Sequence, residues 1–332
     1  MEGLKLIFKK EIILLICILY FCNICQAQLS NNSSNQWPTK TVRIIVPMAT
    51  GGGSDSVARL IAPKLNEQLS QPFIVDNRGG GGGLIGISMA VKSPPDGYTI
   101  MLISGSVPAT IAAHKPDYDP IGNLAGIIRV GFSPLLLVSH PSIPVKNTKE
   151  LIKFIQSKPN QLLFGVPGSG SLTHLATAYL MSITNTKMQH VPYKSTGYGM
   201  SDLLSGRTQV MMTGLSPMLP FIQNGKLRPI AVSTLNRWPA QPEIPALSET
   251  ISGFDVESWF AFVTPKSTPS NIVNKLNTEI NKLLNDQLVR KSFDALGIAV
   301  AGGGADDVDK RMRSEIDRWT QLIRDSKIQI DQ

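Results

Sequence analysis

The residue types best suited to chemistry in this chain are glycines and small hydroxyls, gathered in Met48-Ala49-Thr50-Gly51-Gly52-Gly53-Ser54-Asp55. No lysine or arginine lies within that run, so anything it holds must be held by the main chain. Glycine lets a ligand approach the backbone, and the first amides of a following helix have no intrahelical partner. The helix dipole favours negative charge at the same place. Capture of a small anion is the chemistry implied. A second run, Pro167-Gly168-Ser169-Gly170-Ser171, mirrors the first. Ser104 and Ser106, on either side of Gly105, offer hydroxyls at a third place.

Catalysis is poorly provided for. The four histidines, His114, His140, His174 and His190, show no metal-ligand spacing, and zinc is unsupported. No Gly-x-Ser-x-Gly elbow occurs. Ser171 or Ser106 with His174 could serve an exported serine hydrolase, although a lone histidine near a helix start more often caps or packs. Gly81-x-Gly83-x-x-Gly86 matches a dinucleotide fingerprint. It is rejected, because no acidic residue stands ~20 positions further on to hold a ribose.

These residues must be carried on strand ends and helix starts. Val42 to Val46 is a β-branched run that predicts a buried strand, and Val57, Leu60, Ile61, Leu65 and Leu69 recur on one face of a helix. Ser54 or Asp55 is the expected N-cap. Phe73 to Val75 and Tyr98 to Ile103 predict two further strands, the first followed by five glycines and a helix from Leu84 to Lys92. Open α/β sheets bind ligands at the carboxyl ends of strands. The unit repeats with Leu162 to Val166, a helix from Leu172 to Met181, Val191 to Gly197, a strand ending at Thr213, and Leu227 to Val232. Gly126 to Val138 and Trp259 to Val263 look alike and predict the two passages between a first lobe and an inserted second one, which makes a hinge. Asn271 to Ile328 is expected to be helical except at 297–304, with Trp319 and Leu322 facing inward. The fold class is α/β with parallel sheets.

The chain's first 27 residues are not expected to belong to this fold. Lys5, Lys9 and Lys10 precede an apolar run from Ile12 to Cys22, and Gln26-Ala27 could close a cleavage site, as in a signal peptide. The residues before Cys22 and Cys25 are not the small ones that lipoprotein processing prefers, which disfavours a lipid anchor. A polar leader, 28–36, follows. All three cysteines lie in the signal segment, leaving the exported chain without thiols or disulfides. Of the net charge of +8 on 332 residues, +7 remains after the signal, spread along the sequence. Nucleic acid is a poor partner for such a distribution.

Several spaced motifs carry a resemblance. They are Pro47-x-x-x-Gly51-Gly52-Gly53-Ser54-Asp55, Val75-x-Asn77-Arg78-x-Gly80-x-Gly82-Gly83-x-x-Gly86 and Pro95-Asp96-Gly97-Tyr98-Thr99. Gly168-x-Gly170-Ser171-x-x-His174-Leu175, Val191-Pro192-Tyr193-Lys194, Asp202-Leu203-Leu204-x-Gly206, Gly225-Lys226-Leu227-Arg228 and Ser258-Trp259-Phe260 follow in order. Together they resemble the Bug-type (TctC-like) receptors, the substrate-binding proteins of tripartite tricarboxylate transporters. The resemblance implies a two-lobed type-two periplasmic-binding fold, a Venus flytrap, with residues 37–138 and 256–332 in lobe 1 and 139–255 in lobe 2. It implies a monomeric periplasmic receptor for a small organic carboxylate, without metal, cofactor or catalysis, that serves membrane transporter subunits. A receptor presenting its ligand to a sensor kinase would look the same in sequence. Carried onto this chain, Thr50, Gly51, Gly52 and Asp55 line one jaw with Ser104. Gly170, Ser171, Thr173 and His174 line the other, with Tyr193, Lys194 and Thr213 toward the distal end. Relatives commonly carry an acidic residue or asparagine near Thr213 and keep the first helix free of proline, so Pro63 is expected to kink it at a cost of ~3 kcal/mol.

Overall fold

A computed structural model describes residues 37–117, 119–193, 196–326 and 328. The signal segment, the polar leader and Lys194 lie outside the described residues. The chain divides between Lys40 and Thr41, and the elements below belong to the body that begins at Thr41.

In chain order these are β1 (Val42–Val46), α1 (Gly53–Leu69), β2 (Phe73–Asn77), α2 (Leu84–Val91), β3 (Thr99–Ser104) and α3 (Ser106–His114). A long strand, β4 (Leu124–Ser139), leads to α4 (Thr148–Ser157), β5 (Leu163–Pro167), α5 (Leu172–Ile183) and β6 (Gln189–Tyr193). Next come α6 (Thr196–Leu204), β7 (Val210–Gly214), α7 (Leu219–Gln223) and β8 (Arg228–Val232). The chain ends with β9 (Glu257–Pro265), α8 (Ser270–Asn285), α9 (Gln287–Ala295), β10 (Ala299–Val300) and α10 (Ala305–Ser326).

The strands form one ten-stranded sheet whose main path is β2-β1-β3-β9-β4-β7-β5-β6. β1 pairs in parallel with β2 and β3, and β5 pairs in parallel with β6 and β7. Two parallel halves are therefore joined through β4. Its residues Leu124 to Pro134 run antiparallel to β9, while Leu135 to Ser139 run antiparallel to β7. β9 itself stays in the first half, pairing with β3 and β4 alone. The segment before β9 is tied in at Val256, whose amide donates to the Ser233 carbonyl. The buried Ser233 hydroxyl ties β4 to that segment, accepting from the Leu135 amide and donating to the Val256 carbonyl.

Periodicity located α1 well, and its buried face is Val57, Ala58, Ile61, Ala62 and Leu65. Full burial of each large side chain there is worth about 1.5–3 kcal/mol. Two details differ from expectation. The N-cap is Gly52, not Ser54 or Asp55, and it makes no side-chain cap hydrogen bond. The helix also continues through Pro63 to Leu69. Pro63 is on the exposed side, where water can satisfy the carbonyl that loses its donor.

The apolar core crosses the midline of the sheet. α3 contributes Val107 and Ile111 to a cluster under β3 and β9, and Ala109 and Ala112 to one containing Leu172, Leu175 and Phe164. α10 does the same with Met312 and Trp319. Trp319 is fully buried, as the sequence suggested, and its indole donates to Glu315.

Candidate functional site

The first glycine run turns from β1 into α1. Gly51 adopts φ +87°, a conformation that costs an ordinary side chain roughly 1–2 kcal/mol. Its amide donates to Asp55 Oδ2 at 2.9 Å, and Arg59 Nε donates to Asp55 Oδ1 at 2.9 Å. Arg59 also reaches Asn77 Oδ1 at 3.0 Å, and Asn77 Nδ2 donates to the Met48 carbonyl at 3.3 Å. Asp55 is buried and faces inward. Burial alone would raise its pKa, but hydrogen bonds from Arg59, the Gly51 amide and Asn77 outweigh it and hold the carboxyl below its ordinary range. Asp55 organises the loop. Thr50 and Gly51 are exposed, and Gly52 caps α1 without using a side chain, so the first helical amides stay open to a ligand.

The five-glycine tract after β2 is a buttress for this turn. A Cβ on Gly83 would lie 2.9 Å from the Pro47 carbonyl oxygen, and one on Gly86 only 2.7 Å from the Arg78 carbonyl oxygen. Thr110 of α3 holds the tract from the other side by donating to the Gly82 carbonyl at 3.0 Å. Close backbone packing accounts for the spacing that mimics a dinucleotide fingerprint.

The second run turns from β5 into α5 with the same device. Gly170 has φ +72°, and its amide donates to His174 Nδ1 at 3.1 Å. Ser171 is the N-cap, accepting from the His174 amide at 3.4 Å, and its hydroxyl lies 3.0 Å from that of Thr173. The His174 ring is buried, with the rings of His190 and Phe164 at centroid distances of 5.3 Å and 6.4 Å. Ser171 thus works as a cap and His174 as an acceptor, which weakens the case for a nucleophile and its base.

The second turn packs against α3. His114 Nε2 lies 3.3 Å from the Ser169 carbonyl oxygen, and a Cβ on Gly170 would come 2.7 Å from the same nitrogen. At the other end of α3, a Cβ on Gly105 would meet Leu172 Cδ2 at 3.2 Å and Trp259 Nε1 at 3.2 Å. Gly105 also donates its amide to the Trp259 carbonyl, and buried Ser104 pairs with Phe260 across the strands. The Phe260 ring in turn lies 3.1 Å from where a Cβ on Gly53 would sit. Gly105, between Ser104 and Ser106, therefore lies beside Leu172 and Trp259.

Of the remaining expected residues, Tyr193 ends β6 and Thr213 lies on β7. Tyr193 donates its hydroxyl to Asp202 Oδ2 at 2.8 Å, and its ring packs against Gly165 and Gly199. Burial, then the Asp202 carboxylate, pushes the Tyr193 phenol up to about 12. Thr213 is buried near the end of β7, opposite Leu136. Sequence patterns did not single out Arg59, and they gave Asn77 and His114 no part in shaping the turns; Asn77 appeared only within a spaced motif.

A cavity of about 660 Å³ lies elsewhere, lined by Phe132, Trp238, Asp255, Glu257, Asp294 and Ile298 among others. None of the expected ligand residues lines it. Among the described residues no cluster of His, Cys, Asp and Glu is placed to hold a metal, and no helix is long and apolar enough to cross a membrane.

Comparison with known proteins finds relatives along most of the chain. The protein BugT of Bordetella pertussis is 31% identical over 298 residues, covering 89% of this chain and 91% of its own. A Rhodopseudomonas palustris protein, Rpa4515, solved with adipate, is 33% identical with a TM-score of 0.83 over 88% of this chain and 99% of its own. MatC from the same organism, solved with bound malate, is 26% identical with a TM-score of 0.79, over 86% and 100%. The model of the tripartite tricarboxylate transporter family receptor matches residues 57–328. A receptor model matching residues 57–328, with relatives of this kind along most of its length, places the chain in the tripartite tricarboxylate transporter family of receptors.

Proposed function

We propose that this protein is a periplasmic receptor that captures a small organic carboxylate between its two glycine turns and delivers it to membrane transporter subunits. The observation that carries this is the pair of helix starts, α1 and α5, each preceded by a glycine with positive φ, with Gly105 lying beside Leu172 at the start of α5. Amides and hydroxyls lie there, and peptide amides can only donate. An oxyanion is the natural guest for donors arranged around helix N-termini. Adipate and malate in Rpa4515 and MatC support a dicarboxylate as the guest here.

In this reading residues 37–138 and 256–332 form one lobe and 139–255 the other, and closure brings Thr50, Gly51 and Gly52 onto a carboxylate already touched by Gly170, Ser171 and Thr173. Affinity arises from the closed state, which neither turn reproduces alone. Asp55 and His174 hold the turns in shape. Thr213, with Tyr193 and Lys194, borders the distal end and sets the preference among acids. No metal or cofactor takes part, no bond is made or broken, and the exported chain acts as a monomer. Residues 1–27 direct its export.

Calorimetric titration of the mature protein with malate, adipate and related acids tests this, together with mass spectrometry of any ligand retained on purification. Saturable binding that is lost in Gly51→Val is expected. Failure of every carboxylate to bind the wild type would overturn it.

A further inference from the structure

The cavity apart from the glycine turns has walls of two kinds. Its volume of about 660 Å³ is within the ~300–1,000 Å³ usual for a small-molecule site. One wall is apolar. Phe132 of β4 and Trp238 cross at 85° with ring centroids 5.9 Å apart, and Ile298 and Leu235 extend the surface. Leu235 is left 51% exposed there. The other wall is charged. Among the described residues that line the cavity, Asp255, Glu257 and Asp294 are acidic and Arg237 alone is basic. Arg237 is engaged elsewhere: Nε and Nη2 donate to Glu249 at 2.7 and 2.8 Å, and Nη1 donates to the Pro242 carbonyl at 2.9 Å. Neither partner lines the cavity. Glu257 is answered by Arg311 and Arg129. Asp255 and Asp294 differ, since both are exposed and neither forms an ion pair among the described residues. Asp255 Oδ1 accepts from the Leu235 amide at 3.0 Å, which fixes its carboxylate on this wall. Asp294 lies in the last turn of α9, where the helix dipole already concentrates negative charge, and no basic residue in that turn offsets it.

We propose that this cavity is a second binding site, for a small organic cation in which an apolar body carries an ammonium group. The body lies against Phe132, Trp238 and Ile298 and covers Leu235. The ammonium is held by Asp255 and Asp294, because ionised carboxylates can only accept and an ammonium can only donate. A bare metal ion is a poor guest, since among the described residues no acidic cluster is placed to hold one and much of the wall is apolar. A carboxylate is repelled by the same two unpaired charges. The two sites therefore take guests of opposite sign, and this one does not rest on the carboxylate-receptor reading above.

The test uses 2-phenylethylamine and 2-phenylethanol, which are alike in shape and differ in charge. Both are titrated by calorimetry into wild type and into the Asp255→Asn/Asp294→Asn double variant. Asparagine at 255 keeps an acceptor for the Leu235 amide, so the melting temperature should not change. The amine should saturate one site on wild type and the alcohol should bind roughly ten-fold more weakly; the variant should lose about the same factor for the amine alone. Added salt should weaken the amine, because the carboxylates that hold it are exposed. The Trp238 indole 1H–15N resonance should move with the amine, and saturating malate should not displace it. Failure of the amine to saturate wild type, equal affinity for the alcohol, or undiminished binding in the variant overturns the proposal. So does displacement by malate, or a stationary Trp238 resonance while the amine binds. Malate affinity is measured beside it, so the receptor reading stands or falls separately.

Discussion

The two glycine turns are built to one plan with different parts. Each has a glycine in the left-handed region whose amide donates to a side chain four residues on, in the first turn of the next helix: Gly51 to Asp55, and Gly170 to His174. In the first turn the acceptor is a carboxylate, which needs Arg59 and Asn77 to hold it in a buried position. In the second it is an uncharged ring nitrogen packed among aromatic rings. The first turn also stays open, with nothing near Gly51, whereas the second is pressed against His114 and Ala113 of α3. Thus one turn is a free lip and the other a seated one, and the same function is carried by a charged and by a neutral organiser.

Substitution of the two glycines is the strongest way to break the comparison. Gly170→Val meets His114 Nε2 as well as an unfavourable φ, so it should abolish binding and cost more than the ~1–2 kcal/mol of backbone strain alone. Gly51→Val should abolish binding but cost only that strain, because its surroundings are empty. Urea unfolding beside calorimetry reads both quantities, and equal destabilisation of the two variants would refute the lip-and-seat distinction.

Removal of the acceptors comes next. His174→Ala leaves the buried Gly170 amide unanswered and should lose about 1–3 kcal/mol of stability, with weakened binding. Asp55→Asn keeps an acceptor for Gly51 and should lose less, at the lower end of about 1–3 kcal/mol. Ser233, which joins Leu135 of β4 to Val256, offers a control outside both turns. Ser233→Ala orphans the Leu135 amide and should also cost about 1–3 kcal/mol, while malate affinity changes through closure alone.

Acid separates the organisers further. Since the folded Asp55 pKa is lowered, its contribution is fully present above the ordinary value near ~3.9 and disappears as pH falls through the lower folded value. Between pH 7 and 5 the Gly51–Asp55 bond should therefore be unaffected. Asp55→Asn should remove part of the acid unfolding limb, measured by circular dichroism from pH 5 to 2, and a variant whose limb matches wild type would argue against this role. The smallest effect is that of salt. Amide dipoles hold the anion, so raising ionic strength should weaken binding only slightly, and a steep decline would point to a charged side chain instead.

Much of this was visible in the linear pattern because it is local. β1, α1, β5 and α5 follow from β-branched runs and 3.6-residue periodicity, and the glycine turns lie between them as expected. The caps were less legible. Ser54 and Asp55 are both good cap residues, yet Gly52 takes the position because Asp55 is drawn back to the Gly51 amide and Arg59. The long-range ties were half legible: β4 was recognisable as a long apolar strand, but Ser233, which binds it to Val256, looked like an ordinary serine after a strand.

The sequence by itself determined the repeating strand-turn-helix units and the places where the backbone is left bare, since both depend on residues within one turn or strand of each other. Only the tertiary structure decided which polar groups there remain open. Asp55, His174 and Tyr193 find partners inside the fold. A hydrogen bond is short and directional, so its fate rests on atoms that chain folding brings from far along the sequence.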